Sequence, residues 1–539
     1  MKLKRLKSFF HNHWSWLSFL LIFLISFIIF AYLQYSPTFA DPDSFYHAKM
    51  AMMIRDNGII KNFPWLQFTV LKDNYTDQHF LYHVLLIPFV SFLNPLIGAK
   101  IATIFFGSLL IVTFYWLLKT LKVRWAFVFS IILLFINPFT FRISLAKAPA
   151  ISILISLIAV NLIFNYRYKL LFLLSFLYVW FYGGFIIVLI FTTLFILVNL
   201  VVNKWFKKIN HHSFLEKILS TLGRRFRFRT KKRMNLKLFF SCLLGLLAGI
   251  IINPYFYHNI IFYYHQLIKI GIVNYQHIIG VGGEWYPYGF IDLISNTVLV
   301  SILVVIAVVL FFINIKKQKK MSITLFIIYL LFFAFTLKSR RYVEYYVPYG
   351  VLFAAVSLND SIRDFSLQKA FQLLKRIYLK NLGVKILITL LIIYLLVSIP
   401  TIIIRDLKTE KNDLNNGIPL NKFENASTWL KTHSFQGSIV IHSDWDDFPV
   451  LFYQNDYNYY IVGLDPTFMY EYNKDLYWKW VNLTTGKEVA DLYNVVKSQF
   501  NASYLLIEKD HAGMDRLVSA NLGFNLVYED NEAKIYQVK

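Results

Sequence analysis

Two aspartates follow the first long apolar stretch of the sequence, in the segment FADPDSFYHAKM (residues 39–50). Asp41 and Asp43 are separated by one residue, and His47 follows Asp43 at the spacing of one helical turn. Such carboxylates suit either a divalent cation or a base that takes a proton from a nucleophile. One aspartate could instead cap the helix that begins here, a role that needs only one carboxylate. The pair therefore predicts a chemical site, with helix capping as the alternative.

A second polar cluster lies in the segment DNYTDQHFLYH (residues 73–83), which contains Asp77 and His79. Aspartate and histidine this close together predict substrate binding or metal ligation. The alternative is a solvated loop ahead of an amphipathic stretch.

The segment VGGEWYPYG (residues 281–289) places Glu284 after two glycines and among aromatic residues. A flexible Gly-Gly pair before a single acid suits a loop that closes over a substrate. An aromatic belt at the membrane interface would account for Trp285 and Tyr286 but not for Glu284.

The segment LKSRRYVEYYVPYG (residues 337–350) brings Arg340, Arg341 and Glu344 together at the end of an apolar stretch. If this end is extracytoplasmic, basic residues there run against the positive-inside rule and fit an anionic ligand, phosphate first. Neighbouring helical residues point about 100° apart, so only one arginine can face a cavity. We expect Arg341 to face it, with Glu344 three residues on orienting the guanidinium. An ordinary Glu–Arg ion pair is the alternative.

Composition defines the class of protein. Of the 539 residues, 57% are hydrophobic and only 16% are charged, whereas soluble domains carry roughly 25% charged residues. The chain is therefore predicted to be an α-helical polytopic membrane protein. The single cysteine, Cys242, lies in an apolar run, which excludes an intrachain disulfide and is typical of a packing residue.

Apolar stretches long enough to cross a bilayer predict about eleven transmembrane helices. They lie near residues 14–34, 97–118, 124–140, 147–165, 168–183, 185–203, 237–253, 291–315, 321–337, 342–358 and 383–403. With a cytoplasmic N-terminus, every inside loop is basic, namely 122–124, 165–169, 204–237, 316–320 and 359–382. The net charge of +25 is thus explained by membrane topology and anionic lipid rather than by nucleic acid. The apolar segment 80–93 is too short to cross and is predicted to lie on the outer face.

This topology puts all the polar clusters on the outer side of a cell membrane, which is the inner membrane where there are two. The predicted membrane domain covers residues 1–404, with outer loops 35–96 and 254–290. Residues 405–539 alternate strand-like and helix-like runs, which predicts a small extracytoplasmic α/β domain. In that domain, Trp445 and Asp446 follow the end of a strand, where open α/β sheets carry functional residues. A polar turn that caps the next helix is the alternative.

The order of these parts resembles the catalytic subunit of the oligosaccharyltransferases, which are GT-C membrane glycosyltransferases. The resemblance rests on Asp-x-aromatic-Tyr-His at Asp43–His47 and on a later loop glutamate, a late arginine and a Trp-Asp pair in the outer domain. It implies that Asp43 and Glu284 are catalytic and bind a divalent cation, Mg²⁺ or Mn²⁺. It also implies that Arg341, with Arg340 beside it, binds the phosphate of a lipid-linked donor. The remaining residues expected to bind substrate are Asp41, His47, Asp77, His79, Tyr345, Trp445 and Asp446.

The sequence departs from the family in its second outer acidic motif. The corresponding stretch, FRISLAKAPA (residues 141–150), contains Lys147 and Pro149 but no acid. The WWDYG motif is represented only by Trp445 and Asp446, in DWDDF. These departures favour a more distant GT-C enzyme that uses a polyprenyl-phosphate sugar.

The resemblance implies transfer of a sugar or oligosaccharide from a polyprenyl-(pyro)phosphate donor to a protein or glycan acceptor outside the membrane. A transporter or flippase of lipid-linked precursors is the alternative from another class. It would predict ionisable residues inside the spans and internal repeats, which the sequence hardly shows. A non-catalytic relative is the third possibility, because the second acidic motif is missing.

Overall fold

The computed structural model describes residues 2–92, 94–209, 232–363, 372, 378 and 382–539. The helices of the predicted membrane part are Lys2–Gln34, Pro95–Thr120, Ala126–Ile132, Asn137–Ser144, Pro149–Phe164, Tyr168–Phe181, Ile186–Ile209, Lys232–Ile251, Phe290–Asn296, Val298–Ile313, Lys320–Lys338, Val343–Ser361 and Leu382–Asn415. The outer loops add the helices Asp43–Asn57, Leu71–Asn74, Phe80–Phe92 and His258–Tyr263, the last continued by a π-helical stretch, Tyr264–Val273. The predicted inside loops 204–237 and 359–382 lie largely outside the described residues.

Among the residues that the structure describes, four helices are long and apolar enough to cross a membrane. These are Trp16–Gln34, Pro95–Thr120, Lys320–Lys338 and Leu382–Asn415. Two bent pairs pass the same test together: Ala126–Phe135 with Asn137–Ser144, at 76°, and Phe290–Asn296 with Val298–Ile313, at 100°. The described residues therefore give four candidate spans, or six if each bent pair is one span. Several further apolar helices are shorter. The fold is that of a polytopic membrane protein, and the count of eleven spans stays a prediction.

Residues from different predicted inside loops contact one another at one end of the helices. The backbone N–H of Arg124 donates to the side-chain oxygen of Asn359 at 3.0 Å. Lys319 Nζ lies 2.7 Å from a carboxylate oxygen of Asp360. These contacts bring loops with the same predicted sidedness to the same end of the bundle.

The C-terminal part contains a five-stranded mixed sheet beside a two-stranded pair. In chain order the strands are β1 (Thr38–Phe39), β2 (Ile418–Pro419), β3 (Ile439–His442), β4 (Tyr459–Tyr460), β5 (Ala502–Glu508), β6 (Phe524–Glu529) and β7 (Ala533–Val538). The sheet order is β4-β3-β5-β7-β6, with β3 parallel to β4 and β5, and β7 antiparallel to β5 and β6. Its helices are Glu424–His433, Phe448–Gln454, Thr467–Tyr472, Lys474–Thr484, Leu492–Asn494 and Ala512–Ser519.

The first outer loop is joined to the C-terminal part by backbone hydrogen bonds. Strand β1 of that loop pairs antiparallel with β2. At the edge of the larger sheet, Tyr460 N–H donates to Trp65 O at 2.7 Å, and Gln67 N–H donates to Tyr460 O at 2.9 Å. An ion pair between Lys49 and Asp456, at 3.0 Å, adds to this contact. The acidic loop is therefore held against the domain that carries Trp445.

Candidate functional site

A cavity of about 820 Å³ opens where the two outer loops meet the C-terminal part. Its polar and aromatic lining includes Asp41, Asp43, Arg142, Lys147, Glu284, Trp285, Tyr288, Arg340, Arg341, Arg405, Asp406, Asp413, Trp445, Asp446 and Asp465. A smaller cavity of about 110 Å³ adjoins it and adds Tyr46, His47, Asp77, His79 and Tyr182. The two share Asp43, Arg142, Lys147, Glu284 and Arg341. Both predicted loops and the predicted phosphate site therefore converge on one place.

Asp41 and Asp43 share one partner, Lys147. The lysine lies in the turn between the helices that end at Ser144 and begin at Pro149. Its Nζ is 2.7 Å from Asp41 Oδ1 and 2.8 Å from Asp43 Oδ2. Asp41 Oδ1 also accepts the backbone N–H of Asp43 at 2.9 Å, so it does serve the start of the helix. Burial raises the pKa of Asp43, and the neighbouring Lys147 offsets only part of that rise.

Two arginines and two glutamates form a continuous chain of ion pairs beside Asp41, Asp43 and Lys147. Arg142 donates from Nε and Nη2 to Glu344 Oε2, and from Nη1 to Glu284 Oε2 at 2.5 Å. Arg341 donates from Nη1 to the other oxygen of Glu284 at 2.8 Å and from Nη2 to Tyr182 Oη at 3.0 Å. The expected Arg341–Glu344 pair is thus replaced: Glu344 pairs with Arg142, and Arg341 pairs with Glu284.

The loop that carries Glu284 is fastened to the arginine segment. Ser339 Oγ donates to Glu284 O at 2.8 Å, and the indole of Trp285 lies under the guanidinium of Arg341 at 4.9 Å. Burial raises the pKa of Glu284, but Arg341, Arg142 and Lys147 outweigh it and hold this pKa well below its usual range. Glu284 is therefore an anion that fixes the two arginines, rather than a proton donor.

A hydrogen-bonded row of Asp77, His83 and His47 borders the smaller cavity. Asp77 Oδ2 lies 2.7 Å from His83 Nδ1, and His83 Nε2 lies 2.7 Å from His47 Nδ1. A carboxylate only accepts, so with both rings neutral each Nδ1 donates and Nε2 of His47 is left as an acceptor. Burial, reinforced by His83, holds the pKa of His47 well below its usual range and lowers that of His79 to about 3. These groups can accept hydrogen bonds from hydroxyls.

The C-terminal part contributes Trp445, Asp446 and Asp465 to the larger cavity. Trp445 to Asp447 form one 3₁₀ turn after β3, held by a reciprocal capping box between Asp444 and Asp447. Burial, together with Asp444, raises the pKa of Asp446 to about 7. The capping role and the cavity position therefore coexist in one segment.

One predicted site residue lies elsewhere than expected. Tyr345 is buried in helix Val343–Ser361, where its hydroxyl bonds to Ser152 at 2.6 Å, and it lines neither cavity. The expectation that only one of the two arginines faces a cavity is wrong, because Arg340 and Arg341 both line the larger cavity. Arg340 is exposed there, and its Nε donates to Pro287 O at 3.3 Å.

Sequence reasoning did not name Arg142 and Lys147 as site residues. Both lie in the segment FRISLAKAPA, which was singled out only for its missing acid. Basic residues in a predicted outer turn also run against the positive-inside rule, the signal that identified Arg341. That signal would have found both residues.

The arrangement does not fit a divalent cation at Asp43 and Glu284. Such a cation needs several oxygen ligands that are free to converge on it. Here Asp43 and Asp41 are bound to an ammonium, and both oxygens of Glu284 are bound to guanidiniums. Among the described residues, one group of His, Asp and Glu side chains has converging ligand atoms, Glu508, Asp510 and His511, and it lies outside both cavities.

Comparison with solved structures identifies the class of fold. The archaeal oligosaccharyltransferase AglB from Archaeoglobus fulgidus, in complex with an inhibitory peptide and a dolichol-phosphate, matches 98% of this chain and 75% of its own, with a TM-score of 0.62 and 13% identity. ArnT from Cupriavidus metallidurans, bound to undecaprenyl phosphate, matches 97% of this chain and 98% of its own, with a TM-score of 0.54 and 10% identity. The arabinofuranosyltransferase AftD from Mycobacteria matches 96% of this chain and 40% of its own, with a TM-score of 0.50 and 10% identity.

All three are GT-C glycosyltransferases, and the chain has the GT-C fold. The resemblance inferred from the sequence is thereby confirmed at the level of fold. No family model and no curated protein sequence matches the chain.

Proposed function

We propose that the chain is a membrane glycosyltransferase. It moves a sugar or oligosaccharide from a polyprenyl phosphate or pyrophosphate to a protein or glycan acceptor outside the membrane. The observation that carries this proposal is that Asp43, held by Lys147, and the fixed arginines Arg142 and Arg341 line one cavity of a GT-C fold. Neighbours with this fold are bound to dolichol-phosphate and undecaprenyl phosphate, which supports a lipid-linked donor.

Arg341 has the chemistry to hold the leaving phosphate. Two of its five N–H donors are engaged by Glu284 and Tyr182, so others remain for a ligand. Its guanidinium is fixed by Trp285 on one face, and it stays charged in this acidic surrounding. A donor set that is already oriented loses little entropy when the phosphate arrives and stabilises charge that develops as the phosphate leaves.

Asp43 is the base in the proposed reaction. A heteroatom of the acceptor attacks the anomeric carbon, and the bond from that carbon to the phosphate oxygen breaks. The bonding electrons leave with the phosphate, and the proton of the acceptor group passes to Asp43. Burial raises the pKa of this carboxyl above its usual value, which makes it a better proton acceptor than an exposed aspartate.

The proposed location is a cell membrane, the inner one where there are two, with a cytoplasmic N-terminus and an extracytoplasmic C-terminal domain. The basic loops support this orientation, since loops 122–124 and 316–320 each contact a residue of loop 359–382 at one end of the bundle. The cavities lie at the end that carries the two long outer loops. A donor embedded in the outer leaflet would present its phosphate at this level.

Mass spectrometry of lipid-linked and surface glycans in a deletion strain tests the proposal. Loss of the transferase should remove a sugar from the surface acceptor and leave its lipid-linked donor to accumulate. Loss of a flippase would also raise the donor level, so a second assay is needed. The purified protein in detergent, given lipid extract and cell-surface material from that strain, should release polyprenyl phosphate and modify the acceptor. A flippase has no such activity without a bilayer, and neither does a non-catalytic relative.

A further inference from the structure

Lys147 lies between the two aspartates that a divalent cation would need. Its Nζ contacts Asp41 Oδ1 at 2.7 Å and Asp43 Oδ2 at 2.8 Å, and only 12% of its side chain is exposed. The backbone of Lys147 is held in the short turn between the helices that end at Ser144 and begin at Pro149. The ammonium therefore occupies the position where the two carboxylates converge.

Glu284 lines the same cavity but has no free oxygen to complete a metal site. Both oxygens of Glu284 accept from guanidiniums, one from Arg142 and one from Arg341. A divalent cation bound by Asp41, Asp43 and Glu284 would compete with four ion pairs and would lie beside three positive side chains. Like charges in a partly buried site repel strongly, because water screens them poorly there.

We propose that the Lys147 ammonium takes the place of the divalent cation at Asp41 and Asp43, so that sugar transfer by this protein needs no metal. The ammonium draws the two carboxylates together and fixes the direction of Asp43. Its charge also lowers the free energy of a phosphate that leaves nearby, as a metal ion would. The consequence for transfer rests on the proposed function, whereas the occupation of the carboxylates does not.

The test uses Mn²⁺ and thermal unfolding of the full-length protein in detergent. Wild type, Asp43→Asn, Lys147→Ala, Lys147→Arg and the double variant Lys147→Ala/Asp43→Asn are compared, each in Mn²⁺ and in EDTA. The matched control is Lys49→Ala, which frees Asp456 from an ion pair outside both cavities. A ligand that binds only the folded state raises the unfolding temperature, so this readout does not depend on any enzyme assay.

We expect wild type, Lys147→Arg and Lys49→Ala to unfold at the same temperature in Mn²⁺ and in EDTA. Lys147→Ala should gain at least ~2 °C in Mn²⁺, since both aspartates are then free to bind it. The double variant should lose that gain. A Mn²⁺ shift in wild type that Asp43→Asn removes would overturn the proposal, and so would the absence of a shift in Lys147→Ala.

A second measurement keeps the proposal testable if Lys147→Ala fails to fold. Transfer by wild-type protein should be equal in EDTA and in Mn²⁺. Transfer that falls at least ~10-fold in EDTA and returns with Mn²⁺ would show that a metal does the work assigned to Lys147. If wild type shows no transfer under any condition, the proposed function fails, while the Mn²⁺ result on unfolding still decides the role of Lys147.

Discussion

Arg142 binds Glu344 through two donors, with Nε and Nη2 at 3.0 and 2.9 Å from the same carboxylate oxygen. The two residues are 202 positions apart in the chain, and Glu344 is fully buried. The other oxygen of Glu344 is buried without a partner among the described residues. Arg142 is thus the link between the helix bundle and the loop acid Glu284, and its charge is needed on both sides.

Removal of Arg142 should destabilise the protein. Arg142→Met leaves Glu344 as a buried, unpaired charge, and breaking a buried pair from one side costs about 3–5 kcal/mol. The unfolding temperature in detergent should therefore fall markedly. The double variant Arg142→Met/Glu344→Met removes both charges and should recover most of the loss. If the double variant is no more stable than the single one, the pair is not what holds this part of the bundle.

Asp43→Asn should reduce turnover by at least ~100-fold, the usual scale for the loss of a general base. The protein level should hardly change, because Lys147 keeps its bond to Asp41 and Asp41 keeps its bond to the start of the helix. Asp56→Asn is the matched control, since Asp56 is exposed on the same helix and outside both cavities. Full activity of Asp43→Asn would return this aspartate to a structural role.

Hydrophobicity and charge were sufficient to place most of the membrane part. Each predicted span within the described residues coincides with helix, because apolar runs with few breaks have no other stable structure in a bilayer. The number of crossings stays a prediction, and the helical stretches at residues 126–144 and 290–313 bend by 76° and 100°. A bend changes how far a helical stretch extends across the membrane but leaves its amino-acid composition unchanged. Sequence alone therefore predicts the helices better than their crossings.

In the site, likewise, residue types indicated which residues take part, but the sequence did not predict which residues pair with one another. The charge of Arg341 in a predicted outer segment indicates a site residue, but the sequence spacing assigns it the wrong partner. Glu344 is three residues away and faces Arg142 instead, whereas Glu284 approaches Arg341 from a distant loop. Such contacts between distant segments depend on how the helices pack, which no local pattern encodes. The family resemblance pointed to Asp43 and Glu284, yet it could not show that cations of the chain itself would pair with them.

Asp446→Asn should become relatively more stable as the pH rises. Burial and Asp444 raise the pKa of Asp446 to about 7 in the folded protein, against about 4 in an unfolded chain. Between these pH values the folded state binds more protons than the unfolded state. The contribution of Asp446 to the free energy of unfolding of wild type is therefore fully present below pH ~4 and is lost as the pH approaches 7. Asparagine stays neutral throughout. The unfolding temperature of the variant minus that of wild type should rise from pH 4 to 7, and a difference that stays flat or falls over this range would contradict the prediction.

Reporter fusions test the orientation on which the outer site depends. A reporter fused after Lys320 should be cytoplasmic, and one fused after Arg405 should be outside. The lysines before residue 320 lie at the end of the bundle that contacts Asp360, while Arg405 lines the larger cavity. Activity of an enzyme reporter that works only in one compartment measures this directly. Reports from the same side for both fusions would contradict the span count and the location of the site together.

Arg341→Lys should weaken donor binding, and Arg340→Lys should not. A guanidinium can bond Glu284, Tyr182 and a phosphate at once, because its five donors lie in one plane. A lysine at position 341 has three donors at one point and cannot stack on Trp285 in the same way, so it must give up one of these partners. The loss of one charge-assisted hydrogen bond, about 1.5–3 kcal/mol, corresponds to at least ~10-fold in affinity.

Arg340 is the matched control for this substitution, because it is the neighbouring residue and lies exposed at the cavity edge. Its guanidinium contacts Pro287 O and lies 5.8 Å from the ring of Tyr288, without a bond to any carboxylate among the described residues. An exposed substitution of this kind changes free energies by about 0.5 kcal/mol or less. Binding of a labelled polyprenyl phosphate to purified protein measures both variants. Equal losses in the two, or no loss in either, would leave Arg341 as an ion-pair partner of Glu284 with no part in holding the phosphate.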